Sequence, residues 1–412
     1  MSVPPEKRFP INVIFVWDVT DNGVGLVILQ LSNLSTDAPT IVNLGRSYNS
    51  LVSVVSLNYD RTQPPLATRV SNVQSDRFDL QLQRLDGSST PVSGITAHIV
   101  AVEEGVYNLT DHGVKMEAVK FTSTVTDDAS ANWFGQSRTY LNSYTSPVVL
   151  GQLMSSNNPR WSIFWASNGS RSSPPSASSL YVGKHVAEDT IATRANETIG
   201  YIVIEKGSGI IDGISYEAAV GSDTVRGMDN APPYTYSLSG NLPAADVAIV
   251  SSAAIDGNNG GWPVLYGASP ITPTALQVAY EEDQFKDIER KHTKEQVAYI
   301  VFGGFVGPSA ARTAAPAVTV AVSPAILIQL DAAEDRVALL FMGPVEPEGL
   351  GYRILESLDL EIWTDHTDRF QLIERKVDTN AESPTVTLRW EGPIESSGRA
   401  FFSIELGPIP TE

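Results

Sequence analysis

Three stretches of this chain end in nearly the same strand: Ala97-His98-Ile99-Val100-Ala101-Val102-Glu103, Gly200-Tyr201-Ile202-Val203-Ile204-Glu205 and Ala298-Tyr299-Ile300-Val301-Phe302. Their spacing of about a hundred residues is the length of one small domain copied along the chain. Each strand follows a polar stretch (87–93, 192–198 and 291–296) that forms the turn into it. Upstream lies an apolar strand, Leu51–Leu57, Pro147–Leu153 and Asp246–Ser252, so the order within the unit is kept. Between these landmarks Arg77–Arg84 alternates polar and apolar side chains, the period of a strand with one buried face. Trp161–Trp165 does the same in the second unit, and Ala275–Tyr280 is the counterpart in the third. The pattern predicts an all-β protein: tandem antiparallel β-sandwich domains in a string.

At 412 residues the chain has length for several such domains. The landmarks divide it into an N-terminal strand with the first sandwich (1–107), a second repeat (108–207), a divergent third repeat (208–304), a Gly/Ala/Pro-rich linker (305–317) and a C-terminal accessory sandwich (318–412). In that last part Ala325–Leu330, Val337–Met342, Tyr352–Leu355, Thr385–Trp390 and Ala400–Leu406 are strand-like runs parted by turn residues. The second and third units carry insertions, Asn168–Ser179 and Glu281–His292, expected in loops at the sandwich ends, where individuality resides. Asp283–Val297 is the best helical candidate.

Charge and composition exclude several functions. Lys plus Arg number 28 against 47 Asp plus Glu, a formal net charge of -19, so a polyanion such as nucleic acid is repelled. No run reaches the ~18 apolar residues of a spanning helix, because Arg312, Pro316 and Pro324 interrupt the Ala/Val-rich stretch 310–330, and no membrane insertion is expected. Met1–Thr20 lacks the plan of a signal peptide: Asp18 ends a short apolar stretch and no small-residue cleavage site follows. The absence of cysteine removes disulfides, zinc–thiolate sites and thiol nucleophiles. It fits an extracellular or cell-surface protein of a bacterium, or a virion component, neither of which relies on oxidative folding.

Candidate chemistry is sparse. His98, His112, His185, His292 and His366 show no metal-ligand spacing, and His98 aligns with Tyr201 and Tyr299 as a strand residue. No local signature selects a carboxylate pair for glycoside hydrolysis, so the chain is read as no enzyme. No cofactor is expected. Asp18–Gly23 and the pair Asp127–Asp128 have oxygen ligands of the sort calcium loops use, but the EF-hand spacing and its closing glutamate are missing, and Asn22-Gly23 is a hairpin signal. Trp161 and Trp165 fall on one face of their strand, a sugar-stacking platform if it looks outward and core if it looks inward. Sequons at Asn33, Asn108, Asn168 and Asn196 permit glycosylation in a suitable secretory pathway.

The first unit, through Leu51–Leu57, Arg69, Val70, the Phe78–Gln83 strand and the closing Ile95–Glu103 strand, resembles the H-type lectin domain of invertebrate agglutinins over roughly Asp37–Glu103. The resemblance implies a six-stranded antiparallel sandwich, trimeric assembly and binding of N-acetylgalactosamine-type sugars at subunit junctions. Arg69 falls where that family has its sugar-binding arginine, while Leu85 and Asp86 replace its consecutive tryptophan and histidine. Arg69, Arg84, Asp86, Trp161 and Trp165 are therefore the candidate carbohydrate-binding residues. The last domain, through Tyr352–Trp363 and Phe401–Ile404, resembles the accessory β-sandwich near the C-termini of large secreted bacterial proteins, which implies a surface-protein context.

From these features the expected function is that of a non-catalytic structural subunit of an extracellular surface assembly, a homo-oligomer or polymer. The run Phe9–Trp17, with Phe9, Ile11, Val13, Phe15 and Trp17, is apolar on both faces and suited to strand addition in a neighbouring copy. The alternative is a multivalent adhesin that engages cell-surface glycans through its repeats.

Overall fold

A computed structural model describes residues 23–305, except 130–132, 134, 241 and 243–244, and beyond them the strands between 318 and 408 with Arg369 and Phe370. The first unit contributes β1 (Val27–Leu34), β2 (Thr40–Asn43), β3 (Leu51–Tyr59), β4 (Leu66–Ser71), β5 (Arg77–Arg84) and β6 (Ile95–Glu103). The second contributes β7 (Gly105–Tyr107), β8 (Met116–Ser123), β9 (Gln136–Arg138), β10 (Pro147–Leu153), β11 (Ile163–Ser167), β12 (Leu180–His185) and β13 (Glu197–Glu205). The third contributes β14 (Gly207–Ile211), β15 (Ile214–Val220), β16 (Tyr234–Ser237), β17 (Val247–Ser252), β18 (Trp262–Tyr266), β19 (Ile271–Thr272), β20 (Ala275–Glu281) and β21 (Val297–Phe305).

The plan of each unit is the same. The closing strand (β6, β13 or β21) lies between the opening strand (β1, β8 or β15) and the apolar strand (β3, β10 or β17), antiparallel to both. A second antiparallel layer faces it: β2-β5-β4, β9-β12-β11 and β16-β20-β18. Odd positions of the closing strands fill the unit's own core: Ala97, Ile99 and Ala101 in the first, Ile199, Tyr201 and Val203 in the second, Val297, Tyr299 and Val301 in the third.

Even positions of the same strands leave the unit. Val52, Val54, Val100 and Val102 meet Val148, Leu150, Ile202 and Ile204 and then Val247, Ile249, Ile300 and Phe302 in one central core that belongs to no single unit. A strand covered on both faces needs a near-continuous apolar sequence, which is what the closing strands have. Neighbouring units are also joined edge to edge: β3 pairs in parallel with β18 of the third unit, and β17 pairs in parallel with β11 of the second. The β10 strand abuts β4 of the first, closing the circle.

The all-β class is as expected, but the three repeats form a closed ring around a shared core, where the sequence suggested a string. Hydrogen bonds onto equivalent acceptors run round the ring in the same sense. Val250 N donates to Ser56 Oγ (2.9 Å), Gly151 N to Ser251 Oγ (3.2 Å) and Thr68 Oγ1 to Gln152 Oε1 (3.1 Å). Ser56, Gln152 and Ser251 stand opposite His98, Gly200 and Ala298 in their ladders. His98 thus matches Gly200 and Ala298, one position away from the tyrosines expected. Its Nδ1 accepts from Ala248 N (3.3 Å) across the unit boundary.

The helix expected over Asp283–Val297 is not there; residues 282–296 run as an irregular strap into β21. Among the described residues the α-helix is the single turn Leu109–His112, capped by Asn108, and no helix is long and apolar enough to cross a membrane. Beyond residue 317 the strands Val318–Val322, Ile326–Asp331, Arg336–Pro344, Thr385–Pro393 and Gln371–Asp378 make one sheet in that order. Thr364–Asp365, Leu350–Ser357 and Phe401–Pro408 make another. Each strand-like run expected there lies within or across one of these strands. The linker, apart from Phe305, lies outside the described residues.

Candidate functional site

A surface groove of about 350 Å³ opens where the three units meet. The first unit supplies Thr36, Gln81, Leu82, Gln83, Arg84, Gly87, Ser88 and Ser89, the second Arg160 and Trp161, and the third Phe285. Alternation along β5 makes its floor: Phe78, Leu80 and Leu82 point into the sandwich, which turns Gln81 and Gln83 to the other face. Arg69, nine-tenths buried on the neighbouring β4, donates to Gln83 Oε1 (3.1 Å), Pro159 O (2.9 Å), Ser156 Oγ (2.5 Å) and Asn158 O. It fixes Gln83 from behind and ties the first unit to a loop of the second.

Both arginines at the rim carry their own counter-ion. Arg84 grips Asp86 with two nitrogens and donates to Thr90 O. That grip outweighs the burial of Asp86 and holds its carboxyl below the usual range. Arg160 is bidentate to Asp189, through Nε to Oδ2 (3.1 Å) and Nη2 to Oδ1, and the buried carboxylate also accepts from Arg194 (2.9 Å). Trp161, 1 % exposed, sits against Trp262 and lies nearly parallel to Phe285, with ring centres 6.3 Å apart and planes at 14°. Its indole N–H is buried and has no hydrogen-bond partner. Phe285 is 39 % exposed.

Phe285 reaches the groove on the strap 281–292, which touches all three units. Gln284 N donates to Leu85 O (2.7 Å) of the first unit, and Glu188 N of the second to Asp283 Oδ2 (3.0 Å). Lys286 pairs with Glu188 (2.9 Å). Behind the strap Arg290 clasps Glu281 and donates to Gln63 O (2.8 Å), while Tyr59 O–H donates to Glu281 Oε2 (3.0 Å). His292 lies between Glu282 and Glu295, 2.7 Å from the latter, and stacks on Tyr280. Burial opposes its charge, but the hydrogen bonds to the two glutamates prevail and raise its pKa to about 9. Burial pushes Glu282 up to about 7 and Asp283 to about 6.

The structure brings Arg84 and Trp161 to the groove, with Asp86 holding Arg84 and Arg69 acting from beneath. Trp165 is elsewhere: it packs on Trp133 and donates to Asp127 Oδ2 (2.9 Å). Both tryptophans are core, in separate clusters, and Trp161 precedes the strand rather than sharing it, so the two-tryptophan platform does not form. Asp127 Oδ2 also accepts from Gly135 N (3.1 Å), which commits that acidic turn to internal bonding. No group of three or more His, Asp or Glu residues among the described ones is arranged to hold a metal ion. Asp18 and the assembly strand with Phe9, Ile11, Val13, Phe15 and Trp17 lie outside the described residues. Sequence reasoning missed Gln81, Gln83, Arg160 and Phe285. The insertion 281–292 was the available signal, since an extended loop is where one repeat differs from the others.

Compared with family models, with curated proteins and with solved structures, the chain has no match.

Proposed function

We propose that this protein is a non-catalytic carbohydrate-binding protein of a cell surface, its three repeats closed into one ring that presents the groove on β5. The supporting observation is the groove's composition: a half-exposed aromatic ring beside amides and hydroxyls, the mixture that meets a sugar's apolar face and its hydroxyl fringe. The position at a junction of repeats agrees with the H-type lectin resemblance of the first unit. Catalysis finds no support there, because Asp86 and Asp189 are locked in ion pairs with the two lining arginines and Glu188 in one with Lys286. Binding to an array of immobilised glycans tests the reading, with Gln83→Ala as the variant. Retention on specific glycans, lost or sharply reduced in Gln83→Ala, is expected; a silent array contradicts it.

A structural subunit is the second reading, favoured by the two-faced apolar run Phe9–Trp17. The repeats' apolar faces support it less, because the ring consumes them within one chain.

A further inference from the structure

We propose that the groove holds one uncharged pyranose residue per chain, seated on Phe285 and hydrogen-bonded by Gln81 and Gln83. This rests on the carbohydrate-binding reading and adds the ligand's charge class and the stoichiometry.

Stoichiometry follows from what covers the equivalent strands. On β5 the face turned away from the sandwich core carries Gln81 and Gln83, both partly exposed. On β12 the corresponding face holds Gly183, where even a Cβ would meet the Trp165 indole nitrogen at 2.8 Å and the Gly135 backbone at 2.9 Å. On β20 it holds Ala279, which is fully buried. At this one position the other two symmetry-related surfaces are closed by the protein itself, although Tyr181 and Gln277, two residues earlier on the same faces, are partly exposed. The remaining one is completed by the third unit's strap, which is longer than the equivalent segments 85–94 and 186–196, and Phe285 stands on that strap. A ring of three repeats has one site, not three.

Charge class follows from the ion pairs. An acidic sugar is held by a free guanidinium or ammonium group that pairs with its carboxylate. Here Arg84 is saturated by Asp86, and Arg160 by Asp189. A second carboxylate would have to displace one of these partners, within a chain of net charge -19. The groups left for a ligand are neutral: the two glutamine amides and the hydroxyls of Thr36, Ser88 and Ser89.

Isothermal titration of the full chain with methyl glycosides of neutral hexoses and N-acetylhexosamines, and of glucuronic and sialic acid, tests this. At least one neutral glycoside should bind with one site per chain. Its affinity should fall severalfold, up to about tenfold, in Phe285→Ala, the loss expected for one stacking contact. It should be unchanged in Ile288→Ala, whose side chain is 86 % exposed on the same strap. Raising the salt from about 0.05 M to about 0.5 M should leave it nearly constant. Three sites per chain, a salt-sensitive preference for the acidic glycosides, or equal binding by Phe285→Ala would overturn the inference and leave carbohydrate binding standing. No binding by any glycoside would overturn both.

Discussion

His98 and His185 are buried to 1 % and 0 % exposure, and burial alone or chiefly lowers both to about 3, so each is neutral in the folded protein at ordinary pH. An unfolded histidine takes its proton near pH 6.5, so these two favour the folded state above that value. Their contribution falls as pH drops from about 6.5 toward 3, by up to about 1.4 kcal/mol per pH unit for each histidine. Urea unfolding of the native protein and of His98→Gln, followed from pH 7 to 4.5, should show the smaller loss in the variant. Parallel curves would mean that His98 titrates normally. At this scale the sequence was only partly legible. It offered Arg69 and Arg84 through the lectin resemblance of the first unit and Trp161 as part of a separate platform in the second, and did not place them together. It could not show that Arg69 and Trp161 face the interior, since which face of a strand is covered depends on the next unit. Two glutamates make the same point. Glu197 accepts from the amides of Asn157 and Asn158, and Glu295 accepts from those of Asp256 and Gly257, equivalent loops in two units. The sequence repeats the residue, but only the fold shows that both are loop clamps.

The strap 281–292 is the element that sequence reasoning placed correctly as an insertion and misjudged in conformation. Its density of charge suits a solvated helix, yet Glu281, Glu282, Asp283, Arg290 and His292 are all buried and held by partners from three units. Tertiary bonds of this strength override a propensity worth a few tenths of a kcal/mol per residue. The same bonds make the strap sensitive to pH. The pKa of His292 is raised, so its stabilisation is complete below about 6.5 and is lost as pH rises through about 9. Glu282 and Asp283 are raised as well, so their cost accrues as pH rises from about 4 and is complete by about 6 to 7, which leaves His292 as the group that acts between pH 7 and 9.5. All three shifts act in one direction. Limited proteolysis should therefore cut within 283–291 slowly at pH 7 and much faster at pH 9.5, and His292→Ala should be cut readily at pH 7. Equal protection at both pH values would show that these charges do not hold the strap.

At the scale of the molecule the repeats, their order and the apolar, alternating and closing strands of each unit were visible in the sequence, because hydrophobic period and turn residues are local signals, while the short edge strands were not read. The ring was not read, although its signature was present. A strand at the surface of a free-standing sandwich alternates apolar and polar residues, as β5 does, whereas Ala97–Val102, Gly200–Ile204 and Ala298–Phe302 are apolar almost throughout. Such strands must be covered on both faces, and the structure shows the second cover to be the other two repeats. Separate domains would have their own cores and unfold independently. Repeats sharing a core cannot. Differential scanning calorimetry of the fragment 23–305 tests this most directly. The ring predicts a single transition whose calorimetric enthalpy equals its van't Hoff enthalpy, with no concentration dependence. Separate transitions, or a calorimetric enthalpy about three times the van't Hoff value, would mean that the repeats fold one by one and that the shared core does not unite them.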